Sequence, residues 1–157
     1  MDKGLAIAPL DNTDKKILNM IQEEFPLIER PFKDIGKRTG LTEEETLERV
    51  ARLKRGGYIR RIGPVLEPKK LGYVSLLCAT RVERHVLDAV ARAVSTEVGV
   101  THNYEREGRL NLWFTVTMKN ITDIDRFLKG LEKSFSIKIF RFPEKQRFKI
   151  GTRFILE

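Results

Sequence analysis

One cysteine, two histidines and one tryptophan are all that 157 residues hold of those three types. The lone Cys78 rules out an internal disulfide and any cluster of cysteine ligands, and such usage suits a reducing compartment. It falls in an apolar stretch, which makes it a buried, inert thiol rather than a nucleophile. No apolar run nears the ~18 residues that a membrane span requires. The opening, Met1 to Leu10, lacks the basic-then-apolar order of a secretory leader, so a cytoplasmic location is expected. Acidic residues are outnumbered: 22 Asp and Glu stand against 30 Lys and Arg, a formal net charge of +8. That balance favours an anionic partner, whether nucleic acid, acidic membrane or polycarboxylate ligand, without choosing among them. What is present is a hydrophobic share of 41% with nine Phe, enough for real cores in one large domain or two small ones.

The N-terminal third reads as helices. Asp11, Asn12 and Thr13 are candidate caps for a helix whose apolar stripe is Ile17, Leu18, Ile21 and Phe25, and which Pro26 stops. Pro31 opens a second, short helix with Phe32 and Ile35, closed by Gly40. Thr42 with Glu45 three residues on is a capping box, and Leu47, Val50, Ala51 and Lys54 carry a third helix to Gly56-Gly57. Tyr58 to Leu66, around Gly63-Pro64, is expected to make a small two-stranded wing. Three helices, a Gly-Leu turn and a wing describe a winged helix-turn-helix domain.

Such a domain usually reads DNA, but its third helix offers Glu43, Glu44, Glu45 and Glu48 where base edges and phosphates would lie. Duplex DNA carries about one negative charge per 1.7 Å and repels carboxylates placed there. Glutamates at a solvated helix N-terminus instead stabilise the helix dipole, and a helix-turn-helix kept as a structural module is consistent with them. Positive charge gathers later, at Lys54, Arg55, Arg60, Arg61, Lys69 and Lys70. Arg60 and Arg61, adjacent on a wing strand, would point opposite ways, one of them toward a neighbouring domain or ligand.

The remaining two thirds alternate strands and helices. Tyr73 to Val82 is an apolar strand, and Val86, Leu87, Val90 and Val94 mark a helix face. A hairpin follows, Val100–Arg106 and Leu110–Met118. Thr122 then caps a helix with Ile124, Phe127, Leu128, Leu131 and Phe135 at helical spacing, and Ile137 to Phe142 is a final strand. This βαββαβ order is ferredoxin-like, with both helices on one face of a four-stranded antiparallel sheet. The other face, bearing Trp113 or Phe114, is too apolar to stay wet, so a dimer through the sheets is expected. The tail, Lys145 to Ile150, alternates basic and apolar and is expected to add a strand.

The hairpin concentrates unusual residues. Period-2 alternation would put Val100, His102, Tyr104 and Arg106 on one face, a heavy polar load for a strand that only packs. An imidazole, a phenol and a guanidinium side by side suit proton transfer next to an anion, although a lone strand histidine is commonly structural. His85, at a helix start, reads as surface.

Leu10-Asp11-Asn12-Thr13-Asp14-Lys15-Lys16-Ile17-Leu18, followed by this domain order, resembles the Lrp/AsnC family over nearly the whole chain. Within it, Arg60-Arg61-Ile62-Gly63, Lys70-Leu71-Gly72-Tyr73, Gly99-Val100-Thr101-His102-Asn103-Tyr104 with Arg106, and Asn111-Leu112-Trp113-Phe114-Thr115 resemble the siroheme decarboxylase subunits and their relatives in heme d1 synthesis. Val98 stands where that resemblance would have proline, a change confined to the turn. The fold class expected is α+β: a winged helix-turn-helix domain over 1–66 and a ferredoxin-like domain of Lrp/AsnC type over 67–157, which holds the active site and the dimer contact.

The resemblance implies a carboxy-lyase that removes CO₂ from two acetate side chains of siroheme, an iron isobacteriochlorin with eight carboxylates, giving didecarboxysiroheme. It also implies a homologous second subunit in a heterodimer, no membrane partner and no cofactor beyond the substrate's own iron. His102 is then the candidate general acid that protonates a ring carbon and creates an electron sink, since imidazole titrates near neutrality. It is equally a candidate axial ligand to the siroheme iron. Tyr104 would relay a proton or orient the carboxylate. Arg60, Arg61, Arg106 and Arg109 would clamp carboxylates, with Asn103 and Trp113 also in the binding set, although Arg109 in its turn is as well explained as solvated. The competing reading is a transcription regulator of the same fold that senses a small ligand, in which DNA would be the partner.

Overall fold

In a computed structural model, which describes residues 9–149, 151 and 153–156, the first helix starts where its sequence caps it. α1 (Asn12–Glu23) has Asp11 as N-cap, its side chain accepting from the Asp14 amide at 2.7 Å while the Asp14 carboxylate accepts from the Asp11 amide. α2 (Pro31–Thr39) begins on its proline and ends at Gly40, whose φ of 76° lies in the left-handed region that glycine enters without strain. α3 (Glu43–Arg55) carries the Thr42/Glu45 capping box. The three close on Ile17, Ile35, Val50, Leu53 and Ile59. At the α2–α3 turn a Cβ on Gly36 would lie 2.7 Å from the Thr46 hydroxyl and 2.8 Å from the Leu41 carbonyl, so only glycine permits this approach.

The Leu-Asp-x-x-Asp opening also has a tertiary task. The Asp14 side chain is almost completely buried and accepts from Arg49 at 2.9 Å and Arg52 at 2.7 Å, both on α3, while Arg49 also reaches Asp11 at 2.6 Å. The hydrogen bond from Arg49, ahead of that from the Asp14 amide, holds the Asp11 carboxyl below the usual carboxylate range. Asp14→Ala is expected to destabilise this unit by about 3 kcal/mol, the low end for removing one partner of a buried ion pair, because both guanidinium groups keep part of their water. Urea unfolding followed by circular dichroism measures it. At the start of α3, Glu45 is spent on the cap and Glu43 pairs with Arg30, while Glu44 and Glu48 are exposed and keep this end of the helix acidic.

Two local expectations fail here. Tyr58–Leu66 contains no strand; Arg61 donates to the Pro64 carbonyl at 3.0 Å in a turn instead of a ladder. Pro64 has no N–H to give a ladder, and a two-stranded ribbon without a third strand is marginal; beyond the buried Ile59 every residue to Leu66 is exposed, Val65 to 89%. Nor does the tail form a strand over 143–149, and Ile150 lies outside the described residues. Arg147 is drawn to Glu67 and Glu144.

The described residues form two compact units, those up to Pro64 together with those from Lys149 onward, and Val65–Phe148. The sequence division at 66/67 left the tail with the sheet domain, whereas residues from Lys149 on join the helical unit. There Gln22 pairs with both backbone groups of Phe154, Asn19 donates to the Leu156 carbonyl, and Arg153 meets Glu23.

In the second unit β1 (Val74–Thr80), α4 (Leu87–Ser95), β2 (Val100–Glu105), β3 (Leu112–Met118), α5 (Ile121–Phe135) and β4 (Ile139–Phe142) form the expected ferredoxin-like arrangement, with antiparallel sheet order β2-β3-β1-β4. The cap of α5 is Asn120, not Thr122: its side chain accepts from the Asp123 amide and its NH₂ donates to the Asp123 carboxylate, two bonds that starting at Thr122 would forfeit. Leu87, Val90 and Val94 of α4 and Ile124, Leu128 and Leu131 of α5 pack on Leu76, Cys78, Leu112, Phe114 and Val116 of the sheet. Cys78 has no accessible surface, and burial pushes its thiol up to about 12, which makes it inert at neutral pH. Both helices therefore lie on one sheet face. The opposite face leaves Leu77, Phe140 and Phe142 about two-fifths exposed. No helix among the described residues is long and apolar enough to cross a membrane.

Candidate active site

The open sheet face acquires its chemistry from an irregularity in the edge strand. β3 alternates regularly, sending Leu112, Phe114 and Val116 into the core and Trp113 and Thr115 to the open side. β2 pairs with it out of simple step: Val100 faces Val116, yet His102 faces Thr115, with the register shift between them. A β-bulge inserts one residue and so exchanges the faces of everything beyond it. Val100 thus packs with the core, contrary to the simple alternation, while His102 and Tyr104 stand opposite Thr115 and Trp113 on the open side. Gly99 leads into the bulge. Its carbonyl accepts from the Thr117 amide at 2.7 Å, and a Cβ there would come within 2.6 Å of the Thr117 carbonyl.

The result is an open concavity of about 540 Å³ lined by Leu77, His102, Tyr104, Arg106, Glu107 and the Trp113–Thr115 stretch. The His102 and Tyr104 rings are 5.9 Å apart, and the Arg106 guanidinium lies over the Tyr104 ring at 4.9 Å from its centroid. Arg106 thereby meets the π-face of Tyr104 while its N–H groups stay available to an anion. The His102 Nδ1 is 3.0 Å from the Thr101 hydroxyl. Trp113 stacks on Phe142 at 5.2 Å and donates its indole N–H to the Leu110 carbonyl at 2.9 Å, which fixes the ring as part of the floor. Phe114 is buried on the other side of the strand.

Four residues of the expected set, His102, Tyr104, Arg106 and Trp113, share this concavity. Asn103 does not: it faces the core side opposite Phe114 and donates to the Ala91 carbonyl at 2.8 Å and to Ser95 at 3.0 Å, tying β2 to α4. Arg109 is exposed in the hairpin turn and outside the lining, and Arg60 and Arg61 belong to the helical unit and are not among the lining residues. Val98, at the approach to β2, is 96% exposed. Sequence reasoning overlooked Glu107, Leu77 and the clamp made by Asn111. Asn111 holds both backbone groups of Val82 at 2.8 Å, its amide donates to the Thr80 carbonyl, and its carbonyl accepts from the Arg106 amide. The strand period of β1 already put Leu77 on the face opposite Leu76 and Cys78; the Asn111 clamp had no signal beyond its place in the motif.

A helix-turn-helix unit joined to a βαββαβ sheet unit defines an Lrp/AsnC-type protein. A family profile described as the siroheme decarboxylase NirDL-like HTH domain matches residues 14–60, and the AsnC-like ligand binding domain matches 70–149. The chain is 39% identical over 152 residues to the siroheme decarboxylase alpha subunit of Desulfovibrio desulfuricans, covering 97% of this chain and 88% of that one. It is 38% identical to the siroheme decarboxylase NirG subunit of Paracoccus pantotrophus, covering 92% of each. It belongs to the siroheme decarboxylase family, a family of carboxy-lyases. Among solved structures it resembles the siroheme decarboxylase NirDL in complex with an iron-uroporphyrin III analogue, at 33% identity and a TM-score of 0.62, over 83% of this chain and 43% of that one. An AsnC family transcriptional regulator from Agrobacterium tumefaciens superposes with a TM-score of 0.73 over 92% of this chain and 96% of that one, but at 24% identity, a likeness of fold alone.

Proposed function

We propose that this chain is a siroheme decarboxylase subunit whose reaction takes place against the open sheet face, with His102 as the residue nearest the chemistry. The observation that carries the reading is the bulge in β2, which brings an imidazole, a phenol and a guanidinium to one concavity floored by a fixed indole. In each decarboxylation the bond between an acetate methylene and its carboxylate breaks. The electron pair flows into the protonated macrocycle and CO₂ leaves; the exocyclic carbon then takes a proton as the ring carbon gives one up, so that the acetate ends as a methyl group with one proton taken up overall. His102 supplies the proton that turns the ring into an electron sink, or it holds the iron and leaves that proton to Tyr104. Arg106 binds a carboxylate that stays, at roughly 1.5–3 kcal/mol for a hydrogen bond to a charged group.

One lining guanidinium is too few for a substrate of eight carboxylates, and Glu107 opposes it. The other cations of the binding set are therefore assigned to Arg109 and to a second, similar subunit whose sheet face closes the concavity. The names of the relatives support that reading: several are subunits, and the NirDL chain is long enough that this one spans 43% of it. Asn103 acts by holding β2 in place and not by touching substrate. The reaction is placed in the cytoplasm, and no cofactor is invoked beyond the substrate's iron. The acidic start of α3 gives the regulator reading no matching support.

Mass spectrometry of siroheme after anaerobic incubation with this chain alone, and then with its similar subunit, tests the proposal. Loss of two CO₂ when both are present is the expected result. Intact siroheme with both chains present and siroheme bound would overturn it.

A further inference from the structure

The bulge in β2 does a second thing. In a regular strand neighbouring side chains point to opposite faces. Here Thr101 is the inserted residue, with no partner across the ladder, and its hydroxyl lies 3.0 Å from the Nδ1 of His102. We propose that Thr101 is a positioning residue that accepts the Nδ1–H proton of His102 and so holds the imidazole in the tautomer whose free nitrogen, Nε2, faces the concavity.

A neutral imidazole carries its proton on one nitrogen only, and the hydrogen bond made by the other ring position decides which. Both roles open to His102 need the same arrangement. As an acid it gives up the Nε2 proton and is left neutral with the proton on Nδ1; as a ligand it offers the Nε2 lone pair to iron. In either case an acceptor on Nδ1 must be in place before the reaction, and the threonine hydroxyl is the group within reach. Threonine suits the task because its branched Cβ restricts χ1, so the oxygen is held near the ring at small entropic cost. The strand bond between the Gly99 carbonyl and the Thr117 amide, together with the grip of Asn103 on α4, pins the backbone on both sides of the pair.

The activity arm of the test rests on the decarboxylase reading; the spectroscopic arm does not. His85 and His102 are the only histidines, so long-range ¹H–¹⁵N correlation spectra of labelled protein resolve each ring, with the exposed His85 as internal control. At a pH where the rings are neutral, His102 is expected with Nδ1 protonated and Nε2 bare. Thr101→Val should shift it toward the Nε2–H form, and Thr101→Ser should restore it. With both subunits and siroheme, Thr101→Val is expected to lower kcat about 10-fold with KM within about twofold, the size of effect that orienting partners of histidine typically have, and Thr101→Ser should recover the rate. An Nε2–H tautomer in the parent chain, or spectra and kcat unchanged in Thr101→Val, would overturn the proposal. The expected tautomer pattern in a chain that leaves siroheme intact would uphold the positioning role and reject the decarboxylase reading instead.

Discussion

Replacing His102 with alanine is expected to slow siroheme decarboxylation by about 100-fold or more, the usual loss when a positioned acid or base is removed. The side chain is exposed, beside Tyr104 and Thr101, so the variant should fold and melt like the parent. The visible spectrum of bound siroheme then separates the two roles. If His102 is the acid, siroheme still binds to His102→Ala with an unchanged spectrum and turnover is lost. If it ligates iron, the spectrum shifts and affinity falls with it. A His102→Ala enzyme with parental turnover would remove His102 from the chemistry altogether.

Phe114→Ala should be the most damaging single core truncation in the sheet unit. Phe114 is the largest of the fully buried side chains and lies under both helices while bordering β1 and β2 through Cys78 and Asn103. Removing a buried phenylalanine in such a setting costs about 3–5 kcal/mol from lost burial and the cavity left behind. With m about 2 kcal/mol/M for a small unit in urea, the midpoint should fall by about 2 M. Because Phe114 shares a strand with Trp113 and Thr115, activity is expected to fail at lower denaturant than in the parent. A midpoint within about 0.3 M of the parent, a shift worth well under 1 kcal/mol on the same slope, would show that the core closes over the gap.

The outcomes differ for His102 and Phe114 because one strand face is spent on stability and the other on chemistry. The apolar alternation of β3 announced that division and identified Trp113 as distinct from its neighbour only in part, since either aromatic suited the open face. Asn103 illustrates the limit more sharply. It sits between two candidate site residues in the motif, and its amide proves to be a strut to α4. A motif shows which residues travel together; it does not show which of them turn toward a ligand.

What the sequence by itself determined was local. The candidate caps at Asp11 to Thr13, the capping box at Thr42, the left-handed Gly40, the apolar stripes and the βαββαβ order all rest on interactions between residues a few positions apart, which is the range over which a pattern can be read. What only the tertiary structure decided was register and partnership. The bulge at Thr101 exists because β2 pairs with β3, and that pairing sends Val100 to the core and His102 with Tyr104 to the open face. The union of Asp14 with Arg49 and Arg52, the grip of Asn111 on Val82 and the return of the tail to α1 each join residues distant in sequence. Their energies depend on burial and distance across the fold, quantities that no spacing along the chain contains.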